Sequence, residues 1–459
     1  MCGAQGWAGV SNGGGMMGDG ERFDVAIVGG GVSGLAAARE LAAHGVSVAL
    51  VEARGRLGGR VHTLYDPAFP LPLELGAEFI DVPGPAFDVI RATGGSAYRS
   101  VSGQWEVADG VATCMDFDDS VERILKKLDP PPEHDQTFAS WLDVHAADAD
   151  PDTRGLVERY VEGFHAAELD RVGVRWLAET VGDSGGGGGE VRHHPLGGFS
   201  LVVRGLADAI AGRCDLRLGS IVHAIDWRHG EAEVRVRSRW GTEMEPVRAR
   251  RVLITLSLAV LQQTEGQSAV RFTPALDEKR AIVRQLAMGN VVKITFRFSS
   301  ALWEEVLDWR GDDAEREHKF FMTQGDFTGW WTPSPVLAPV LTAWSGGGAA
   351  RRLLEGGGDV ASRAVDSLAK MLGVPRGRVE AEVVDWRRHD WHVDPFSLGA
   401  YTYVPAGALP AQESLGRPVD DTLFFAGEAT APGGWNATVD GALHSGQRAA
   451  KEILSSLVG

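Results

Sequence analysis

FDVAIVGGGVSG, residues 23–34, decides the fold. Its first six residues form an apolar run suited to a strand buried on both faces. Gly29, Gly31 and Gly34 then complete G-x-G-x-x-G, and an alanine-rich stretch from Leu35 to His44 continues as a helix. A second apolar run, residues 46–51, ends in Glu52. Glycines there allow a tight turn and let main-chain N–H groups approach a pyrophosphate at a helix N-terminus. An acid at the end of the second strand is placed to accept ribose hydroxyls. G-x-G-x-x-G alone is a weak signal. Flanked by strand, helix and acid, it predicts a Rossmann-like dinucleotide site.

The composition suits a globular chain. Of 459 residues, 44% are hydrophobic and 23% charged, enough for two or three domains. A formal net charge of −17 argues against nucleic acid as a partner and signals a solvated acidic surface. The three cysteines, Cys2, Cys114 and Cys214, are too scattered for a disulfide framework or a metal site, which suits a reducing cytoplasm. Residues 1–21 read as a flexible glycine-rich tail without the features of a signal peptide. No apolar run is long enough to span a membrane, so none is expected as a partner.

Beyond Glu52 comes ARGRLGGR, residues 53–60. Arg54, Gly59 and Arg60 there could offer N–H groups and cations to phosphate. LELGAEFI, residues 73–80, carries Gly76, Ala77 and Glu78 through apolar neighbours, as a chain passing a flat ligand would. Farther on, GNVVKITFRF, residues 289–298, alternates with period 2. Val292, Ile294, Phe296 and Phe298 share one face and Lys293, Thr295 and Arg297 the other. Periodicity alone makes Lys293 a solvent-facing lysine. Near the C-terminus, LFFAGEATAPGGWNATVDGALHSGQRAAKEIL, residues 423–454, reads as a buried strand, a glycine-containing loop and a helix opening near Thr438.

These segments together resemble the flavin-containing amine oxidase family, which includes monoamine oxidases, polyamine oxidases and flavin-dependent histone demethylases. The resemblance runs with gaps from about Phe23 to the C-terminus and is densest at the two ends. It implies an α/β fold: a Rossmann-like FAD-binding domain from residues 22–95, 196–265 and 396–459, and an α+β substrate-binding domain from 96–195 and 266–395, with a mixed sheet and helices. It implies FAD as cofactor, with LGGR, residues 57–60, by the pyrophosphate and Gly76, Ala77 and Glu78 passing the flavin ring. Val222 would offer its backbone to the adenine, Glu428 with Gly427 would contact the ribityl or phosphate region, and the Val439 N–H would meet the pyrimidine edge. Lys293 matches the family's lysine that holds a water near flavin N5, which reverses the reading from periodicity.

Some positions depart from the family pattern. DPFSLGAYTY, residues 394–403, has Ala400 where monoamine oxidases carry a flavin-bonded cysteine, so the FAD is expected to be non-covalent. Tyr401 matches one wall of the aromatic cage. The second wall is Thr438, as in the demethylases, and Trp435 is the candidate for the missing surface. Glu78 is a candidate for holding a distal ammonium or for a structural hydrogen bond. Ser257 stands where a proline is usual. His193 and His194 alternate sides of an extended chain, against a shared metal. The expected reaction is oxidation of a small amine to an imine by hydride transfer to flavin, dioxygen returning as hydrogen peroxide. A homodimer is compatible with all of this. Two alternatives stand beside it: a flavoprotein acting on an amino acid or a C–C bond, and a flavin-binding scaffold. GAEFIDVP, residues 76–83, lacks the arginine expected of an amino-acid oxidase, and desaturase-like relatives tend to lack the lysine.

Overall fold

A run of six mostly apolar residues cannot leave either face in water, and Phe23–Val28 is accordingly the middle of a sheet. The computed structural model describes residues 22–101, 103–115, 121–182, 191–311 and 319–458. The expected tail at 1–21 and the five glycines at 185–189 lie outside them.

Phe23–Val28 pairs in parallel with Val48–Val51 on one side and Val247–Ile254 on the other. Val48–Val51 continues in parallel to Cys214–Arg217, and Leu423–Phe425 joins the end of Val247–Ile254. An antiparallel meander, Ser220–Arg228, Glu231–Ser238 and Val247–Ile254, extends the sheet to seven strands, and Arg271–Thr273 is the eighth. The helices Val32–Ala43, Pro85–Ala92, Ser200–Ile210 and Val439–Val458 cover one face, where Val25, Ile27, Leu35, Leu206 and Leu443 share a core. Helices Val32–Ala43 and Val439–Val458 lie so close that a Cβ on Gly446 would stand 2.2 Å from Ser33 O.

Cys214–Arg217 and Ser220–Arg228 follow each other in the chain but do not pair with each other. Each takes a different neighbour, because Ser220 N–H donates to Glu52 O at 2.9 Å and turns the chain away. Arg271–Thr273, expected in the second domain, pairs instead with Ser220–Arg228 of this sheet.

The second sheet also has eight strands, in the order Asp308–Arg310, Val111–Cys114, Gln104–Ala108, Phe320–Met322, Gly329–Trp331, Val340–Gly346, Val291–Phe298 and Val383–Arg387. Pairing is mixed, with the first and third contacts parallel. One face carries Val292, Ile294, Phe296, Trp105 and Trp330 into a core with Leu353, Ala364 and Leu368 of the helices Gly347–Glu355 and Val360–Met371. A third apolar cluster is helical. Phe138–His145, Pro151–His165 and Val174–Gly182 pack on each other and on Tyr403 and Leu415. No helix among the described residues is long and apolar enough to cross a membrane.

Candidate active site

Between the glycine turn of the first sheet, the open face of the second and the helical cluster lies a cleft of about 500 Å3. At one end the three motif glycines have three different reasons to be glycine. Gly29 has φ +110°, a region side chains rarely adopt. A Cβ on Gly34 would stand 2.0 Å from Gly29 O, so the helix could not approach the strand. A Cβ on Gly31 would meet no protein atom within 4 Å, yet Gly31 lines the cleft; the cradle is open on the side where a ligand lies.

Glu52 is buried and accepts N–H bonds from Gly30 at 2.7 Å and Arg54 at 2.8 Å. Burial raises its carboxyl above the ordinary range, against those two bonds. Each carboxylate oxygen retains a lone pair for a hydroxyl. Arg54 is not a free cation: it donates to Asp394 Oδ1 at 2.6 Å and Ser397 Oγ at 2.8 Å. Gly59, with φ +57°, lies over Gly31, and Arg60 donates to Glu428 Oε1 and Ala400 O, both at 2.8 Å. The other Glu428 oxygen accepts from Thr402 Oγ1 at 2.6 Å and Ala437 N at 2.9 Å. Val222 lines the cleft at a register shift in its strand, and Gly427, with φ +134°, turns the chain out of Leu423–Phe425.

At the middle of the cleft Lys293 is buried rather than solvent-facing. Its strand is internal, with Val340–Gly346 and Val383–Arg387 on its two sides, and the Gly76–Glu78 passage lies over the face that carries Lys293. The Lys293 ammonium is ion-paired with Glu78 and donates to Gly76 O at 3.3 Å. Glu78 also accepts from Trp331 Nε1 at 2.9 Å and lies 3.8 Å from His194 Nδ1. Burial alone would raise the Glu78 carboxyl; Lys293, His194 and the two hydrogen bonds outweigh it and hold it below the ordinary range. His194 stacks on Tyr98, and His193 is absent from the cleft lining. A Cβ on Gly76 would stand 1.9 Å from Arg60 O, which ties the Gly76–Ala77–Glu78 passage to the arginine segment.

The remaining wall is aromatic. Tyr401 lines it, its hydroxyl donating to Phe164 O at 2.8 Å, and Trp344, Trp331, Phe320, Phe164 and Trp176 complete it. Of the other tryptophans in the second domain's sequence, Trp391 also lines the cleft, Trp303 and Trp330 are core, and Trp386 is exposed. Thr438 lines the cleft, but its hydroxyl caps the helix Val439–Val458, accepting from Gly441 N at 2.8 Å and donating to Trp435 O at 2.7 Å. Val439 opens that helix, where first-turn N–H groups lack intrahelical acceptors.

Trp435 corrects the expectation. It is absent from the lining, and its ring lies against His444, 4.9 Å between centroids. The chain turns through Ala437 at φ +67°, and Asn436 faces the cleft instead. Asn436 is 3% exposed; its Oδ1 accepts from Trp176 Nε1 at 2.7 Å and its Nδ2 has no partner. His165 also lines the cleft, with burial depressing its ring pKa to about 4. Sequence reasoning missed both residues, and Arg159 as well. No spacing or motif marks any of them.

An open cradle at Gly31, a hydroxyl acceptor at Glu52 and an orphaned buried donor at Asn436 fit a dinucleotide continued by a second bound molecule. Fold and site together define an FAD-using oxidoreductase. Residues 32–94 and 111–454 match the flavin containing amine oxidoreductases, and the chain belongs to that family. It is 29% identical over 94% of its length to lysine-specific histone demethylase 1 homolog 3 of Arabidopsis thaliana, of which it spans only 30%. It is 28% identical over 93% of its length to polyamine oxidase 3 of Oryza sativa subsp. japonica, spanning 88% of that protein. A putrescine oxidase solved with putrescine shares the fold, with a TM-score of 0.77 and 20% identity over 95% of this chain and 99% of that one.

Proposed function

We propose that this chain oxidises a small amine at its C–N bond, with dioxygen as the final electron acceptor. The observation that carries the reading is the buried Lys293–Glu78 pair on the floor of an aromatic cleft that continues into the glycine cradle. When bound, FAD supplies hydride acceptance from the amine carbon and electron transfer to dioxygen, yielding hydrogen peroxide. The non-covalent binding inferred from Ala400 is part of the proposal, as is a cofactor domain assembled from residues 22–95, 196–265 and 396–459, now joined by Arg271–Thr273.

The protein residues then have separate tasks. Gly29, Gly31, Gly34, Gly59 and Arg60 would hold the pyrophosphate, Glu52 the ribose, Val222 the adenine, and Gly427, Glu428 and Val439 the flavin end. Tyr401, Trp344 and the Thr438–Asn436 turn would present the amine in its neutral form, since an ammonium would lose its hydration there without an acceptor. Lys293 would donate to a water beside the reacting carbon, which hydrolyses the imine, and would place a cation where charge develops as oxygen is reduced. Glu78 is spent on Lys293, Trp331 and His194, which supports a positioning role over a contact with a distal ammonium.

The test is the absorbance spectrum of purified protein, before and after acid precipitation, then with an amine panel without oxygen. A yellow supernatant and bleaching by amines are expected. Flavin retained in the pellet would sink the non-covalent reading. Bleaching by an α-amino acid or a cyclic precursor, and by no amine, would replace the reaction.

A further inference from the structure

The cleft floor is written in the register of five strands. Lys293 lies opposite Trp344, Trp344 opposite Gly329, Gly329 opposite Met322 and Met322 opposite Glu106. Residues directly opposite in neighbouring strands face the same side, so the five form one row. At about 4.8 Å per strand it runs ~19 Å from Lys293 to Glu106.

At the far end the helix Pro151–His165 sets Arg159 over the row. Its Nη2 donates to Glu106 Oε1 at 3.3 Å, while its Nε is buried with no partner. Among the described residues lining the cleft, Arg159 Nε and Asn436 Nδ2 are the buried polar side-chain atoms left without a partner, and both are donors. The carboxylates of the lining are committed or remote. Glu52, Glu78 and Glu428 take the bonds described above, Asp440 accepts from Ala86 N at 2.7 Å, and Asp81 is exposed near the start of the helix Pro85–Ala92. Glu106 is 42% exposed and already faces the guanidinium.

We propose that the cleft selects amines whose far end carries an oxygen acceptor, a carboxylate or an amide carbonyl, held by Arg159, and that it discriminates against diamines of equal length. The proposal rests on the amine-oxidation reading and names its substrate class. A second ammonium would meet a guanidinium and shed water without finding a free carboxylate. An oxygen acceptor would satisfy the orphaned N–H in a charge-assisted bond. The acceptor must be remote from the amine. In an α-amino acid the carboxylate sits on the carbon bearing nitrogen, whereas Arg159 stands at the opposite end of the row from Lys293.

The experiment is an anaerobic titration of the purified flavoprotein with hexyl and dodecyl series: alkylamine, diamine, ω-amino carboxylate and ω-amino carboxamide. The shift of the flavin spectrum on binding gives Kd, and bleaching gives the reduction rate. Binding without bleaching would count against amine oxidation while still ranking the tails. At one length or the other, an acceptor-tailed amine is expected to bind at least tenfold tighter than the diamine. Arg159→Ala should shrink that ratio about tenfold, and Arg159→Lys should recover it for the carboxylate but not for the carboxamide. Glu106→Gln, at a partly exposed position, frees the guanidinium and should raise the ratio. A wild-type protein that binds the diamine as tightly as its acceptor-tailed partners, or binds none of those partners, would overturn the proposal. So would a ratio unmoved by both Arg159→Ala and Glu106→Gln.

Discussion

On the sheet built around Phe23–Val28 the cleft is bounded largely by main chain: the glycine turn, the first N–H groups of Val439–Val458 and a passage where Gly76 lies against Arg60. On the sheet built around Val291–Phe298 it is bounded by side chains, Lys293, Trp344, Trp331 and Phe320, with Arg159 leaning over the far edge. A main-chain cradle is fixed by what cannot be added to it. A side-chain floor is fixed by what stands opposite what, across strands far apart in sequence. The first should therefore fail by steric exclusion, the second by loss of charge balance and selectivity.

The sharpest break is Gly34→Ala. With its Cβ 2.0 Å from Gly29 O, main chain must move, and we expect a loss above about 4 kcal/mol and little soluble yellow protein. Normal yield and flavin content would show that the cradle tolerates what its geometry forbids. Next is Lys293→Met, which strands Glu78 in the protein. Denaturant midpoints should show a loss of about 3–5 kcal/mol, and single-turnover rates with an amine or dioxygen should fall at least about a hundredfold. The double variant with Glu78→Gln should regain stability without regaining rate; equal recovery of both would reduce the pair to scaffolding.

His165 sharpens the contrast through pH. Burial lowers its pKa to about 4 in the folded chain, so the fold favours the neutral ring. The full contribution holds above the unfolded value of about 6.5 and is lost as pH falls toward 4, up to about 3 kcal/mol. His165→Gln should lose less stability between pH 7.5 and 4.5 than the wild type in urea unfolding; parallel losses would remove His165 as a contributor. The smallest effect belongs to Gly31→Ala. Its Cβ meets no protein atom, so folding should be unchanged while FAD affinity, read by fluorescence titration of apoprotein, falls about tenfold. Unaltered affinity would mean that the cofactor does not approach Gly31.

Legibility in the sequence followed the same divide. The cradle was readable because its determinants are local: three glycines, a strand, a helix and Glu52 lie within one short stretch. The C-terminal motif was readable for the same reason. Lys293 was legible only through family resemblance. Alternation records which face a residue takes but not whether that face meets water, and here Trp344 and Glu78 close over it. Trp435 misled because proximity to Thr438 in sequence does not survive the turn at Ala437, which sends the tryptophan to His444 and Asn436 inward. Arg159 left no trace, as one of two arginines on a helix, and it acquires meaning only when Glu106 arrives from a distant strand.

The first sheet is closed by Leu423–Phe425, and its outer helix layer by Val439–Val458, whose Ser445 hydroxyl meets that of Ser33 at 3.2 Å. Segments far apart in the chain thus lie side by side. During synthesis the helix that backs the glycine turn, and the loop through Gly427 and Glu428, arrive some four hundred residues after it. Pairings of such long sequence separation form late and slowly. Cofactor capture therefore waits for these later segments, and until Leu423–Phe425 arrives, Val252–Ile254 lacks the neighbour it pairs with on that side.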